Sequence, residues 1–273
     1  MLISIVTPTF NSEKTIVGLI ESVCSQTYKN WEHIIVDNVS NDQTLSLIEK
    51  TYQKHGLKNY KVISEPDKGI TDAFNKGVKN SSGDLITILN SDDYFYSEKV
   101  LESSLKAFED PEVMFSHGDI YFEDEEFGSN IRGPLLCPIH YAMPFNHPGM
   151  IIRKSLYDEI GIFSEDFKLA MDFEWICRLY NIDGTLKYKS VYLDDFGPLV
   201  FMRGGGASQV HEEKGLIEMQ KALELHKLWN DEAISFFKNR RLRMKVRNLL
   251  QKLGLNSFVS LWRNMKWKKS ESQ

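Results

Sequence analysis

Two adjacent carboxylates are the first residues whose types and spacing could do chemistry. Asp92 and Asp93 follow the apolar run at residues 85–89 by a few positions. Neighbouring carboxylates repel each other unless a cation or a set of hydrogen-bond donors neutralises them. A hard divalent cation that is shared with a substrate phosphate would do this. Capping of a helix that begins near Ser97 would place acidic residues here equally well, and position alone leaves both interpretations open.

Asp172 is a second acidic residue with a suggestive position. The residues three, four and seven positions after it are apolar (Trp175, Ile176 and Leu179). This spacing places Asp172 at the start of the apolar face of a helix, where a carboxylate is costly unless it is paired, capped or lining a site. A catalytic role and a helix cap are both open. Glu174 and Arg178, in contrast, are predicted to form an ordinary surface ion pair.

A glycine run lies shortly before a long helical pattern. Arg203 is followed by three glycines at residues 204–206, which supply mobile backbone amides that a phosphate could approach. A plain flexible linker is the alternative. His211 follows this run and could reach a cation, or it could be a solvated histidine at a helix start. The glycine run does not form a Walker motif, and no Gly-x-Gly-x-x-Gly follows the first strand, which counts against a dinucleotide dehydrogenase.

The elements that must position these residues alternate through the first 120 residues. The pattern predicts strands at 2–6, 32–37, 60–64, 84–89 and 113–117, with helices at 12–25, 44–54, 70–79 and 99–108. Apolar strands that alternate with helices indicate a parallel sheet covered on both faces. Ligands bind such sheets beyond the carboxyl ends of the strands. Polar residues follow three of these strands, at 7–11, 37–42 and 90–94, and we expect them to meet at one edge.

The second half of the chain is less regular. Residues 123–129 are predicted to form a loop or a two-strand excursion. Further strands are predicted at 150–152, 188–192 and 199–202, and helices at 173–180 and 210–229. The basic segment after residue 233 is predicted to form two helices that are separated near Gly254.

Composition excludes several classes of protein. The chain has 273 residues, of which 42% are hydrophobic and 26% are charged, as expected for a folded globular protein. No apolar run approaches the roughly 18 residues that a membrane-spanning helix needs. The N-terminus is predicted to be a first strand and not a signal peptide. Cys24, Cys137 and Cys177 are odd in number and far apart, which is typical of reduced thiols in a cytoplasmic protein.

Charge is distributed unevenly along the chain. Residues 233–270 carry eleven Lys or Arg and no acidic residue, whereas the remainder has 22 basic and 38 acidic residues, a charge of −16. Basic helices with interspersed aromatic residues bind anionic membrane surfaces. Docking of this tail onto the acidic body of its own or a neighbouring subunit of a homo-oligomer, and plain solvated helices, are the open alternatives. The acidic body and the lack of a base-stacking motif argue against nucleic acid.

Taken in order, five motifs within residues 1–210 resemble the inverting glycosyltransferases of family 2. The motifs are Ile-Val-Thr-Pro-Thr-Phe-Asn at 5–11, the Val-Asp-Asn-Val-Ser-Asn-Asp segment at 36–42, Glu-Pro-Asp-Lys-Gly-Ile at 65–70, Leu-Asn-Ser-Asp-Asp at 89–93 and Met-Asp-Phe-Glu-Trp at 171–175. The resemblance implies an α/β protein with the GT-A fold, a Rossmann-like and mostly parallel sheet flanked by helices. It implies a nucleotide-sugar half at 1–120, an acceptor half at 121–210 and a C-terminal helical appendage at 211–273.

The same resemblance implies roles for individual residues. The implied nucleotide-sugar contacts are Thr7, Pro8, Phe10, Asn11, Asp37, Asp67, Lys68, Asn75, Asn90 and Asp92. Asp37 would contact the uracil base. A divalent metal, Mn²⁺ or Mg²⁺, would be held by Asp92 or Asp93, with His211 as a further candidate. Asn90 replaces the first acid of the family's Asp-x-Asp element. Asp172 would be the catalytic base, in a Glu-Asp motif whose Glu is replaced by Met171.

The implied reaction moves a sugar from a nucleotide-diphosphate donor, with UDP expected, to a hydroxyl group. The acceptor would be a saccharide or a lipid-linked saccharide of cell-surface polysaccharide synthesis, and the anomeric configuration would invert. The expected location is cytoplasmic, including the inner membrane face. One alternative is a sugar-nucleotide nucleotidyltransferase, which needs a glycine-rich basic loop that residues 7–11 lack. The other is a non-catalytic nucleotide- or anion-binding module.

Overall fold

The computed structural model describes residues 1–124, 128–135, 137–206 and 211–253. Contacts divide the chain into two compact units, Met1–Leu228 and Trp229–Gln273. This division falls later than the boundary predicted at residue 210, because the helix at Glu212–Leu225 belongs to the first unit. The second of the two helices predicted in the basic tail lies outside the described residues.

A seven-stranded sheet forms the centre of the first unit. Its strands are β1 (Ile3–Thr9), β2 (Trp31–Asp37), β3 (Tyr60–Ser64), β4 (Leu85–Ile88), β6 (Val113–His117), β9 (Ile151–Arg153) and β10 (Lys189–Tyr192). They lie in the order β10-β6-β9-β4-β1-β2-β3. Every pair is parallel except those of β9, which runs antiparallel to both neighbours. The predicted α/β fold with a mostly parallel sheet is thus confirmed.

A smaller sheet of four strands was not predicted as a separate layer. It consists of β5 (Tyr94–Phe95), β7 (Ile120–Asp124), β8 (Gly128–Arg132) and β11 (Val200–Arg203), in the order β5-β11-β7-β8. β7 and β8 pair in antiparallel register, so the two-strand interpretation of residues 123–129 agrees with the structure, although residues 125–127 lie outside the described part. The small sheet begins directly after Asp93.

Eight α-helices are described. They are α1 (Ile16–Cys24), α2 (Thr44–His55), α3 (Ile70–Asn80), α4 (Val100–Leu105), α5 (Lys154–Ile160), α6 (Met171–Cys177), α7 (Glu212–Leu225) and α8 (Asp231–Lys252). α3 lies close against β1, since a Cβ atom at Gly77 would be only 2.1 Å from Val6 Cγ1. Within the described ranges, none of these helices has the length and apolar character needed to span a bilayer.

The core of the first unit is built from the apolar faces of both sheets and the flanking helices. Ile3, Ile5 and Ile35 of the large sheet and Leu19 of α1 are completely buried. Burying one such side chain contributes about 1.5–3 kcal/mol, which explains why apolar strands and amphipathic helices dictate this layering. Because β1 pairs in parallel with both β2 and β4, the carboxyl ends of these three strands lie side by side.

α7 contacts α6 at Glu174 through a pair with His226 that the sequence does not predict. The predicted pair of Glu174 with Arg178 is present, but Glu174 is only 1% exposed, so the predicted surface position is wrong. Its Oε2 lies 2.6 Å from Arg178 Nη2, and its Oε1 accepts from Arg178 Nε at 2.9 Å. His226, at the end of α7, lies 2.8 Å from the same Oε1. Burial opposes ionisation of Glu174, but the hydrogen bonds from His226 and Arg178 outweigh it and hold its pKa below the usual range.

Candidate active site

The loops that follow β1, β2 and β4 are joined by hydrogen bonds. Asn11 donates its backbone N–H to Ser40 Oγ at 2.9 Å, and Asn11 Oδ1 accepts the N–H of Asn41 at 3.0 Å. The hydroxyls of Ser12 and Ser91 lie 2.8 Å apart. Polar residues from three strands thus meet at one edge of the sheet, as the sequence analysis expects. Asn11 has φ 48°, a left-handed conformation that Asn tolerates better than most residues.

Asp37, for which a contact to the base is predicted, is held by hydrogen bonds within the protein. The residue is completely buried, and its Oδ2 accepts hydrogen bonds from the Ser40 N–H at 3.0 Å and from Ser64 Oγ at 2.7 Å. Asp37 therefore organises the loop after β2 from inside. Asn38, which sequence reasoning missed, is partly exposed beside it, and its Oδ1 accepts the N–H of Asp67 at 2.9 Å.

Thr7 and Pro8 also lie inside the sheet. Both are buried in β1, and Thr7 Oγ1 is hydrogen-bonded to His33 Nε2 at 2.9 Å. Burial lowers the pKa of His33 to about 3, so this histidine is neutral. Its ring forms hydrogen bonds inside the protein. Thr9 Oγ1 is also buried, and it has no hydrogen-bond partner among the described residues. The neighbouring Phe10 exposes its ring at the end of the strand.

The segment that starts α3 is fixed by its own side chains. Asp67 Oδ1 accepts the N–H of Gly69 at 2.8 Å, and Gly69 has φ 120°, which favours glycine at this turn. Lys68 is exposed, with its Nζ 3.6 Å from Glu165 Oε2. Asn75 is buried instead of facing a ligand: its side chain donates to the Phe163 carbonyl at 2.8 Å and accepts the Phe163 N–H at 2.9 Å. Asn75 thus attaches α3 to the segment that leads to α6.

Asp92 and Asp93 have different environments. Asp93 is 2% exposed; its Oδ2 accepts from Asn90 Nδ2 at 3.0 Å, and its Oδ1 accepts the Arg203 N–H at 3.2 Å. Burial, and then the charge of Asp92, raise the pKa of Asp93 to about 7. Asp93 therefore joins the large and small sheets through its own hydrogen bonds, and its metal-binding role stays a prediction. Asp92 is partly exposed, and Asn90 Oδ1 is buried without a partner among the described atoms.

The side chains at this edge supply only part of a binding site for a divalent cation. Within the described ranges, no three His, Cys, Asp or Glu side chains converge closely enough to hold a metal ion. His211 is exposed at the start of α7 and forms no such group with Asp92 and Asp93. A single accessible carboxylate is nevertheless what Mg²⁺ or Mn²⁺ uses when substrate phosphate and water supply the other ligands. Asp92 fits that arrangement.

Asp172 lies in the first turn of α6. It is partly buried, and its Oδ1 accepts the N–H of Phe173 at 2.8 Å. Burial raises its pKa to about 6; the backbone hydrogen bond acts in the opposite direction, and the charge of Glu218 raises the pKa further. A carboxylate with a pKa just below neutral is ionised at pH 7 and still basic enough to accept a proton. The segment before α6 is also held by Thr71 of α3, whose Oγ1 donates to the Phe167 carbonyl at 2.9 Å.

Glu218 of α7 holds the turn in front of Asp172. Its Oε2 accepts three backbone N–H groups, from Lys168 at 3.0 Å, Leu169 at 2.8 Å and Ala170 at 2.9 Å. Three charge-assisted hydrogen bonds to one oxygen fix the approach of the chain to α6. Sequence reasoning missed Glu218, because its partners lie about fifty residues away and no local pattern marks it.

The comparison with protein families decides the identity of this arrangement. The sequence model of glycosyl transferase family 2 matches residues 4–176, a range that extends from β1 into α6. It includes the loops after β1, β2 and β4 as well as Asp172. The chain belongs to glycosyl transferase family 2. It is a glycosyltransferase, and the resemblance seen in the sequence is confirmed.

Curated relatives of this glycosyltransferase act on lipid-linked sugars according to their names. It is 35% identical over 228 residues to the Escherichia coli UDP-Glc:α-D-GlcNAc-diphosphoundecaprenol β-1,3-glucosyltransferase WfaP. The match covers 82% of this chain and 86% of WfaP. It is 28% identical over 196 residues to a Methanococcus voltae dolichyl N-acetyl-α-D-glucosaminyl phosphate 3-β-D-2,3-diacetamido-2,3-dideoxy-β-D-glucuronosyltransferase. That match covers 65% of this chain but only 61% of the archaeal protein.

Solved structures confirm the fold of this glycosyltransferase. The Staphylococcus aureus TarS fragment in complex with UDP-GlcNAc superposes with a TM-score of 0.65 at 22% identity, covering 83% of this chain and 65% of TarS 1-349. The Pyrobaculum calidifontis mannosyltransferase PcManGT, in complex with GDP-Man and Mn²⁺, superposes with a TM-score of 0.60 at 15% identity, covering 95% of this chain and 80% of its own. At these identities the likeness establishes the GT-A fold alone.

Proposed function

We propose that this glycosyltransferase moves a sugar from a UDP-sugar to a hydroxyl group of a lipid-linked saccharide, with inversion at the anomeric carbon. The name of the E. coli relative, which aligns over most of both chains, supports a UDP-sugar donor and a diphospholipid-linked GlcNAc acceptor. The complex of TarS with UDP-GlcNAc gives further support to the nucleotide.

The observation that carries this proposal is the state of Asp172. A partly buried carboxylate, with its pKa raised to about 6 by burial, lies on a turn that Glu218 and Thr71 hold in place. Such a group suits a general base at neutral pH. Asn75 and Thr71 also attach this turn to α3, which begins just after Asp67 and Lys68 of the proposed donor region.

The proposed reaction is a single displacement. Asp172 accepts the proton of the acceptor hydroxyl while the oxygen of that hydroxyl forms a bond to the anomeric carbon. The bond between that carbon and the diphosphate oxygen breaks on the opposite face, and UDP leaves with the bonding electrons. Since only one displacement occurs, the anomeric configuration inverts.

We propose that the loops after β1, β2 and β4 bind the donor. Phe10 offers an exposed ring for the base, Thr9 Oγ1 and Asn90 Oδ1 are unpartnered polar atoms, and Asp92 would hold a divalent cation together with the donor diphosphate. When bound, this cation supplies positive charge that stabilises the leaving nucleotide. Residues 1–120 would then serve the donor and residues 121–210 the acceptor.

The test replaces Asp172 in the full chain. UDP release is measured with UDP-glucose, Mn²⁺ and a GlcNAc-diphospho-lipid, and the product linkage is assigned by NMR. We expect Asp172→Asn to lower kcat by at least about a thousandfold and to leave the Kd for UDP within a few-fold of the wild-type value. Because ionised Asp172 is disfavoured by burial, the Asn variant should not have a lower Tm. Turnover close to the wild-type rate, or a product of retained configuration, would remove the proposed mechanism.

We also propose that α8 binds an anionic membrane surface, where a lipid-linked acceptor is located. Leu242, Val246 and Leu249 are 61%, 46% and 57% exposed, and their spacing of four and three residues aligns them on one side of α8. Lys245 and Arg243 lie on the two flanks of this side. An exposed apolar stripe between basic flanks complements the boundary between lipid headgroups and acyl chains.

A further inference from the structure

The outer face of the small sheet carries a row of aromatic rings. The strand register pairs Tyr94 with Phe201 and Phe201 with Tyr121, so these three side chains share one face. The ring centroids of Tyr94 and Phe201 are 4.3 Å apart, and those of Phe201 and Tyr121 are 5.7 Å apart. The residues that alternate with them belong to the buried core on the other face (Phe95, Val200, Ile120 and Phe122). The row therefore covers the side of the sheet that faces away from the core.

Three phenol groups extend this row toward solvent. Tyr96 is 46% exposed, and its ring centroid is 5.5 Å from that of Tyr121. Tyr94 and Tyr121 are partly exposed. In the portion of the chain that the structure describes, the hydroxyls of Tyr94, Tyr96 and Tyr121 have no hydrogen-bond partner. Three phenols are thus open to a ligand on one small surface.

A charged pair stands next to the phenols. The register pairs Arg203 with Glu123 two positions beyond Phe201 and Tyr121, which places them on the same face, and both are exposed. The backbone N–H of Arg203 binds Asp93, which joins this end of the face to the segment that carries Asp92.

We propose that this face, which we call the tyrosine platform (Tyr94, Tyr96, Tyr121, Glu123 and Arg203), binds the saccharide part of the acceptor. Sugar hydroxyls both donate and accept hydrogen bonds, and phenols, a carboxylate and a guanidinium group together supply both functions. Ile131, which the register pairs with Tyr121, is 57% exposed on the same face and adds an apolar contact for a sugar ring beside the polar groups. The platform adjoins Asp92, where the donor diphosphate is proposed, and the inference therefore rests on the proposed function.

Binding is tested separately from catalysis. Saturation-transfer NMR is recorded on the full chain with methyl α-GlcNAc as the probe, in the presence of UDP and Mn²⁺. The test variant Tyr94→Phe/Tyr96→Phe/Tyr121→Phe keeps every ring and removes only the hydroxyls. The control variant Tyr188→Phe removes a hydroxyl that donates to Glu159 outside the platform. We expect a clear transfer signal for the wild-type protein and the control, and a loss of most of the signal in the triple variant.

Kinetics supply the second measurement. With the GlcNAc-diphospho-lipid as acceptor, we expect the triple variant to raise the acceptor KM by about tenfold or more and to keep the KM for UDP-glucose within about twofold. Equal NMR signals in the wild-type protein and the triple variant, or no signal in either, would overturn the proposal that the tyrosine platform binds the saccharide. So would a change from dimer to monomer in the triple variant by light scattering, because the face would then be a contact between copies. Failure of the proposed function has a different signature, namely undiminished turnover in Asp172→Asn.

Discussion

Asp93 and Asp172 both have a pKa above the ordinary range of aspartate, yet they suit different tasks. Asp93 is almost fully buried, and Asn90 and the Arg203 N–H occupy both of its carboxylate oxygens. Asp172 is partly accessible, and only one of its oxygens accepts a backbone N–H. A proton acceptor must reach its substrate, so accessibility and not the pKa alone distinguishes the proposed base from Asp93.

The pH dependence of transfer follows from the pKa of Asp172. Burial raises this pKa to about 6, so the carboxylate becomes protonated as the pH falls through 6 and can no longer accept the acceptor proton. We expect kcat/KM for the acceptor to be level between about pH 7 and 8 and to fall about tenfold per pH unit well below 6. Initial rates of UDP release across pH 5–8 measure this profile.

The control for this profile is Asp158→Asn, which removes an exposed carboxylate of α5 that pairs with Lys154. This variant should keep the acid limb of the profile, which is the fall of kcat/KM as the pH drops through about 6. A wild-type profile without an acid limb between about pH 5 and 7 would contradict the assignment of the base.

At the scale of secondary structure, α7 is the element that positions α6. Glu218, in the middle of α7, accepts three N–H groups before α6, and His226, directly after the last residue of α7, binds Glu174 of α6. The two contacts are eight residues apart on α7, so together they fix its position along α6. The helix that follows the glycine run thus supports the acceptor half of the site.

Replacing Glu218 tests this support. Glu218→Gln removes the negative charge that raises the pKa of Asp172 and weakens the hydrogen bonds to Lys168, Leu169 and Ala170. We expect the acid limb of kcat/KM to move to lower pH, kcat to fall about tenfold or more, and the free energy of unfolding to decrease by about 1–3 kcal/mol.

The matched control is Glu213→Gln, an exposed carboxylate of the same helix. It should change none of these three quantities. A Glu218→Gln variant that loses stability but keeps the wild-type acid limb would show that Glu218 acts on folding alone, since a structural role by itself does not move the limb.

At the scale of the whole molecule, charge separates the chain into two parts with opposite character. Residues 233–270 have eleven basic residues and no acidic residue, and the rest of the chain has a net charge of −16. The described part of this basic segment is α8 with its exposed apolar stripe. An anionic surface attracts this part and repels the remainder, which favours contact through α8 over contact through the catalytic unit.

Vesicle binding tests the proposed contact. We expect the full chain to co-sediment with phosphatidylglycerol vesicles at about 50 mM salt and much less at about 500 mM, because salt screens the attraction. Arg243→Gln/Lys245→Gln should weaken binding about tenfold or more, since each cation near the surface contributes about 1 kcal/mol. Leu242→Ser/Leu249→Ser should weaken it as well.

An exposed apolar residue of the first unit serves as the control for these variants. Ile182→Ser should bind vesicles as the wild-type protein does. Absence of binding to anionic vesicles at low salt would eliminate the membrane surface as the partner of α8.

The sequence by itself determined the family, the α/β layering and the edge of the sheet where the polar loops meet. These follow from local patterns: apolar strands at 60–64 and 113–117, helices between them, and polar residues directly after β1, β2 and β4. It also identified Asp92, Asp93 and Asp172 as the carboxylates to test.

Only the tertiary structure decided which polar side chains are available at that edge. Asp37, Thr7 and Asn75 match their motifs, but their hydrogen bonds to Ser64, His33 and Phe163 make them interior residues. Glu218 and the tyrosine platform have no local signature. The physical reason is that a polar residue type specifies only a need for hydrogen bonds, whereas partners distant in the chain determine whether the protein or a ligand satisfies it.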